Sequence, residues 1–254
     1  MRIVISKTAE DLGKRAADAA EVIIKEAIEK NGEARIILST GASQFETLKA
    51  LTQKDIDWSK VTMFHLDEYV NLPETHPASF RKYLKERFVA KTNVGKAHFV
   101  DGTKENIAIL TNELRKAPVD LGIVGIGVNG HIAFNDPPAD FDTKDAYIIV
   151  NLDETCRNQQ VGEGWFKTID DVPSQAVSMT VYQIMQCKNI ITAVPHAEKA
   201  WAIENTLKSE LTNIVPATML KMHDNWQLFT DENSHKDVRE IKAIHTEAVV
   251  EDYR

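Results

Sequence analysis

Two cysteines, Cys156 and Cys187, cannot build a disulfide framework in a chain of 254 residues. They stand far apart with no CxxC context, so a reducing, cytoplasmic compartment is expected. No segment approaches the ~18 consecutive apolar residues of a membrane span. The first residues, Met1-Arg2-Ile3-Val4-Ile5-Ser6, read as a short strand and not as a secretory leader. Basic charge is also short: 30 Lys and Arg face 38 Asp and Glu, for a formal net charge of −8. Without a basic stripe the chain is a poor partner for nucleic acid. Only 11 Gly and 8 Pro punctuate it, with no linker, repeat or low-complexity stretch, which excludes disorder and repeat arrays. There is no HExxH and no paired CxxC, so no motif has metal-ligand spacing.

What is present is an alternation. Short β-branched runs at 3–5, 35–39, 61–66, 98–100, 119–125, 146–150, 176–179, 190–194 and 226–229 read as strands. Helical patterns fill 9–30, 45–51, 76–88, 104–116 and 198–208, with Asn31-Gly32 ending the first and Pro77 near the start of the third. This predicts an α/β fold: one three-layer α/β/α domain over 1–254 with a mostly parallel, Rossmann-like sheet. The polar stretch from about 231 is expected to be a surface extension. Ligands of such sheets bind at the carboxyl ends of the strands.

Four strand ends carry chemistry. After 35–39 come Ser39, Thr40, Gly41, Ala42 and Ser43. Small residues and hydroxyls before a helix suit a phosphate cradle, and equally an ordinary capped turn. After 61–66 come Asp67 and Glu68, of which one could act as general base, or cap the next helix. The third end runs Gly125-Ile126-Gly127-Val128-Asn129-Gly130-His131-Ile132-Ala133-Phe134-Asn135-Asp136. It contains GxGxxG, but Pro137-Pro138 stops the helix that a dinucleotide fold requires. The better reading is a Gly-rich loop presenting His131, a proton shuttle near neutral pH, with Asn129 and Asp136 to orient it. The fourth end carries Lys199, which opposes the dipole at a helix start and so suits an anionic ligand, or is simply solvated. Together these residues compose a proton-transfer site for a small sugar phosphate, needing neither metal nor nucleotide cofactor, with no nucleic-acid or membrane partner.

Ser39-Thr40-Gly41, Leu66-Asp67-Glu68-Tyr69-Val70 with His76-Pro77-Ala78-Ser79-Phe80, and Asn129-Gly130-His131-Ile132-Ala133-Phe134-Asn135 resemble the glucosamine-6-phosphate deaminase (isomerase) family. Order and spacing match over roughly the first 140 residues, and the Lys199 segment extends the match more loosely. Related 6-phosphogluconolactonases share the Gly-His loop but usually continue it as GHTAS. The resemblance implies that His131, oriented by Asn129 and Asp136, assists pyranose opening. Asp67 would move a proton from C2 to C1, and Ser39, Thr40, Gly41, Ala42, Ser43, Glu68, Gly130, Arg157 and Lys199 would bind substrate and phosphate.

The chain also departs from the family. Asp136 stands where a Glu is usual. The family's lid is rich in Arg and supplies a phosphate-binding guanidinium. In 155–166 of this chain Arg157 is the only Arg, and it is offset. Glucosamine 6-phosphate deamination is therefore the expected activity. An epimeric amino-sugar phosphate such as galactosamine 6-phosphate, a lactonase-like hydrolysis, and a non-catalytic sugar-phosphate sensor are the alternatives. A homo-oligomer is left open, and the allosteric and hexameric behaviour of some relatives is not carried over.

Overall fold

Val4, Ile36, Ile37 and Ile191 are buried on strands whose neighbours are buried too, because helices cover both faces of the sheet that carries them. The computed structural model describes residues 1–239 and 245–254. Eight parallel strands are ordered β11-β1-β10-β9-β6-β2-β3-β5. They are β1 (Arg2–Ser6), β2 (Ala34–Leu38), β3 (Val61–His65), β5 (Lys96–His98), β6 (Leu121–Val124), β9 (Ile190–Val194), β10 (Trp226–Asp231) and β11 (Val249–Tyr253). The α/β expectation holds, with a mostly parallel central sheet between two helical layers.

The helices are α1 (Ala9–Asn31), α2 (Phe45–Leu51), α3 (Phe80–Leu84), α4 (Ala90–Thr92), α5 (Lys104–Leu114), α6 (Glu154–Gly162), α7 (Val181–Ile184) and α8 (Ala200–Lys208). Helix α1 shows why the sequence pattern could be read. Thr8 accepts the Asp11 N–H at 3.1 Å as N-cap, and Gly32, at φ 79°, donates to Ile28 at 2.8 Å and ends it. Leu12, Ala16, Ala20, Ile24 and Ala27 lie on one stripe and are buried. A buried Ile such as Ile24 contributes about 1.5–3 kcal/mol relative to exposure.

Three expectations change. The strands near 146–150 and 176–179 do not join the parallel sheet. As β7 (Tyr147–Asn151) and β8 (Gln175–Met179) they pair antiparallel with each other, and β8 pairs antiparallel with β4 (Asp67–Tyr69), a separate short strand directly after the 61–66 run. The helix expected from 76 starts at Phe80, because Ser79 caps it and tight turns at Pro73–His76 and His76–Ser79 hold the preceding segment. It continues through a π-helical stretch, Lys85–Val89, into α4. In the polar surface extension expected from about 231, 240–244 lie outside the described residues, and 249–253 return to the sheet as β11, in register with β1, with Arg2 paired to Glu251 at 2.7 Å. Among the described residues no helix is long and apolar enough to cross a membrane.

Candidate active site

The carboxyl ends of β9, β6, β2 and β3, four neighbours in the sheet, open onto one cleft. After β2, Ser39, Thr40, Gly41, Ala42 and Ser43 form its floor. Gly41 takes φ 95°, a conformation that side chains disfavour, and Tyr83 donates its hydroxyl to the Gly41 carbonyl at 3.0 Å. Gln44 ties the loop to β9 by donating to the Ala193 carbonyl at 3.0 Å. The hydroxyls of Ser39 and Thr40 are buried with no protein partner. Unpartnered buried donors carry a desolvation cost that an anion in the cradle would offset.

Opposite this floor, β3 turns through Leu66 into β4 and delivers Asp67, 6% exposed, to the cleft. Burial, with the neighbouring Glu68 charge added, pushes the Asp67 carboxyl well above the usual carboxylate range. A carboxyl raised this way is a stronger base when ionised, and its pKa moves toward the working range of a proton shuttle.

After β6 the Gly-rich loop carries His131, 9% exposed. Gly127 lies flat against its ring: a Cβ on 127 would stand 2.1 Å from His131 Nε2. The Gly127 N–H donates to the His131 carbonyl at 2.9 Å, and Asn129 Oδ1 accepts the His131 N–H at 3.1 Å. Gly130 takes φ 82° against Val215. Beyond the histidine, the Asn135 amide donates to the carbonyls of Ile132 (2.7 Å) and Met179 (2.8 Å), which staples the loop to β8.

His131 Nδ1 lies 2.9 Å from Asp136 Oδ1, although the angle is too poor for a well-formed hydrogen bond. Asn129 Nδ2 donates to the same oxygen at 3.3 Å, and the Asp153 N–H reaches Asp136 Oδ2 at 3.4 Å. Burial works to raise the Asp136 pKa, but the contacts with His131, Asn129 and Asp153 outweigh it and hold the carboxyl below the ordinary value. Sequence spacing shows no metal cluster, yet the fold brings His131, Asp136 and Cys156 within 4.8 Å of one another. Burial, then the charges of Asp136 and Asp153, drive the Cys156 thiol far up.

After β9, His196 takes φ 81° and donates its N–H to the Asp231 carboxylate at 3.1 and 3.2 Å. This held, sparsely populated conformation turns the chain so that Lys199, 4% exposed, lines the cleft. Burial pulls the Lys199 pKa down, opposed by the charges of Glu163 and Glu198.

The family model for glucosamine-6-phosphate isomerases/6-phosphogluconolactonase matches residues 7–229. The chain belongs to this family. A glucosamine-6-phosphate deaminase of Thermoanaerobacter sp. (strain X514) is 32% identical over 260 residues, covering 96% of this chain and 100% of the relative. One from Streptococcus pneumoniae serotype 4 is 34% identical over 213 residues, covering 82% and 89%. Among solved structures, a monomeric glucosamine-6-phosphate deaminase superposes with a TM-score of 0.85 at 25% identity, over 93% of this chain and 99% of that one. A 6-phosphogluconolactonase from Thermotoga maritima shares the fold, with a TM-score of 0.75 at 15% identity over 91% and 99%.

Within this family fold, most residues singled out in the sequence converge. Ser39, Thr40, Gly41, Ala42, Ser43, Asp67, His131 and Lys199 line the cleft, while Asn129, Gly130 and Asp136 shape the His131 loop behind it. Two lie outside both the cleft and the His131 loop. Glu68, fully buried, faces the opposite side of β4 and accepts from Ser79 Oγ (2.9 Å), the Arg81 N–H (2.9 Å) and Arg81 Nε (3.2 Å), anchoring the start of α3. Successive residues of a strand point to opposite faces, which separates Asp67 from Glu68. Arg157 donates to the Ile169 carbonyl at 2.6 Å and braces the segment after α6. The sequence reading missed Gln159, Gln160 and Glu163, which line the cleft from α6 and the turn after it. Their spacing, one helical turn apart for Gln159 and Glu163, was the available signal.

Proposed function

We propose that this protein is an amino-sugar-phosphate deaminating isomerase, converting glucosamine 6-phosphate and water to fructose 6-phosphate and ammonia. The observation that carries the reading is the presence of buried Asp67 in the same cleft as His131. Hydrolysis of a phosphorylated lactone needs one base to activate water. An aldose–ketose shift needs a second, placed to work on carbon.

In this reading the 39–43 loop and Lys199 hold the phosphate, which fixes the sugar for proton transfer. His131 takes the anomeric hydroxyl proton and returns one to the ring oxygen, opening the pyranose. Asp136 and Asn129 orient the ring and loop of His131 but touch no substrate. Asp67 removes the C2 proton, leaving an enolamine, and returns a proton to C1. The C2 iminium then adds water and expels ammonia, leaving the ketose. Ionisation of Asp67 costs less once a cationic amino group is bound beside it, so the substrate itself helps to charge the base.

The test is to supply glucosamine 6-phosphate to purified protein and follow ammonia and fructose 6-phosphate together. Equal yields of both, reduced about 10³-fold or more in Asp67→Asn, are expected. Turnover of galactosamine 6-phosphate in its place would change the epimer. Hydrolysis of 6-phosphogluconolactone that survives Asp67→Asn would replace the reading with a lactonase, and binding without turnover would replace it with a sensor.

A further inference from the structure

The charge inventory of the cleft is unusual for a phosphate site. Among the described residues, Lys199 is the only basic side chain beside His131 that lines it, and no guanidinium does. Arg157 is committed to backbone carbonyls elsewhere. A second carboxylate, Glu163, enters from the turn after α6. It is held in place: Gln159 Nε2 donates to Oε1 at 2.6 Å and Trp165 Nε1 to Oε2 at 3.0 Å. Trp165 packs edge-on against Phe45 at 6.4 Å, and Phe45 stacks on Tyr83 at 5.6 Å, so the aromatic cluster over the 39–43 loop sets where the carboxylate sits. Glu163 and Lys199 line the same cleft. Among the described residues, one ammonium side chain and one further carboxyl side chain thus share the cleft with the 39–43 loop.

We propose that Glu163 is a specificity-determining residue, selecting sugar phosphates that carry a positive group over those that carry negative charge alone. A carboxylate in a partly dehydrated cleft repels a phosphate dianion, which sets it against the attraction of Lys199, and a ligand that brings its own ammonium offsets that repulsion further. A hydroxy-sugar phosphate of the same shape pays the repulsion without the offset. This rests on the amino-sugar-phosphate reading for the identity of the cation, but not on turnover.

The test uses two ligands that cannot isomerise and differ only at C2: 2-amino-2-deoxyglucitol 6-phosphate and glucitol 6-phosphate. Titration calorimetry on the full chain gives both affinities, and their ratio is the readout. The wild-type protein is expected to prefer the amino ligand. The preference should shrink about tenfold in Glu163→Gln, chiefly because glucitol 6-phosphate binds better, and return in Glu163→Asp, which keeps the charge. A ratio unchanged in Glu163→Gln, or equal weakening of both ligands, would overturn the inference even if the protein deaminates glucosamine 6-phosphate. A ratio that shifts as expected in a protein without deaminase activity would sustain it and sink only the reaction. Failure of the wild-type protein to bind either alditol phosphate would overturn both.

Discussion

Gly127→Ala is the sharpest probe of the His131 loop. The new methyl would stand 2.1 Å from His131 Nε2, 2.2 Å from Cε1 and 2.4 Å from Cδ2. Carbon contacts relax only at about 3.5–4.0 Å, so the ring has to withdraw by ~1.5 Å. It cannot do so and keep its 2.9 Å approach to Asp136. Misplacing a reacting group by ~1 Å costs about 10²-fold, so kcat/KM for ammonia release should fall about 10²-fold or more. The fold should survive, since overpacking one site costs about 1–3 kcal/mol, or a Tm lower by about 2–10 °C in a chain of this size. Gly162→Ala is the control: nothing lies within 4 Å of its added Cβ at the end of α6. It should leave activity unchanged and raise stability by about 0.5 kcal/mol. A Gly127→Ala protein that folds and keeps kcat/KM within about threefold of wild type would refute the claim that this close approach positions the histidine.

Other outcomes follow from the same contacts. Asp67 holds its proton in the folded state at pH values where the unfolded chain, near a pKa of ~3.9, has lost it. The folded state then binds more protons, so stability falls as pH rises toward the folded pKa, and Asp67→Asn should raise the neutral-pH Tm while removing activity. A Tm equal to or below that of the wild type would argue against a raised Asp67. The same shift places the acid limb of kcat/KM above the ordinary carboxylate range, and a limb at or below pH ~4 would contradict it. His65, buried with its pKa lowered to about 3, works in the opposite direction. The unfolded chain protonates it from ~6.5 downward, so each pH unit between there and about 3 removes about 1.4 kcal/mol. Urea midpoints at pH 4 and 7 should differ less in His65→Gln than in wild type. Glu68→Ala should cost about 3–5 kcal/mol by stranding Arg81 and the donors at the start of α3, read as a loss of Tm, with far less effect on turnover by the folded fraction than Asp67→Asn.

The core and the strand-end chemistry were open to reading before the structure for a local reason. The α1 cap, its apolar stripe and its Gly32 stop all lie within one segment, and the β2, β3, β6 and β9 runs are buried on both faces. The Gly-His loop was recognisable because Gly127, Asn129 and His131 act on one another over a few residues. Where the reading failed, the partner was remote. Glu68 was placed beside Asp67 in the cleft because the 67–69 segment was not seen as a strand, and its pairing with β8 lies more than 100 residues away. Arg157 carries a guanidinium that the sequence could count but not aim.

By itself, then, the sequence determined the alternation of elements, the burial of the central strands, and the residue types waiting at their carboxyl ends. Those follow from backbone propensity, apolar periodicity and loop chemistry, all of which act along the chain. Only the tertiary structure decided which strands share a sheet, that 249–253 joins it beside β1, that Cys156 backs the His131–Asp136 pair, and that Glu163 and Lys199 line one cleft. Each of these depends on contacts between segments far apart in sequence. Their geometry is set by packing and by the pairing of buried polar groups, which no local pattern encodes.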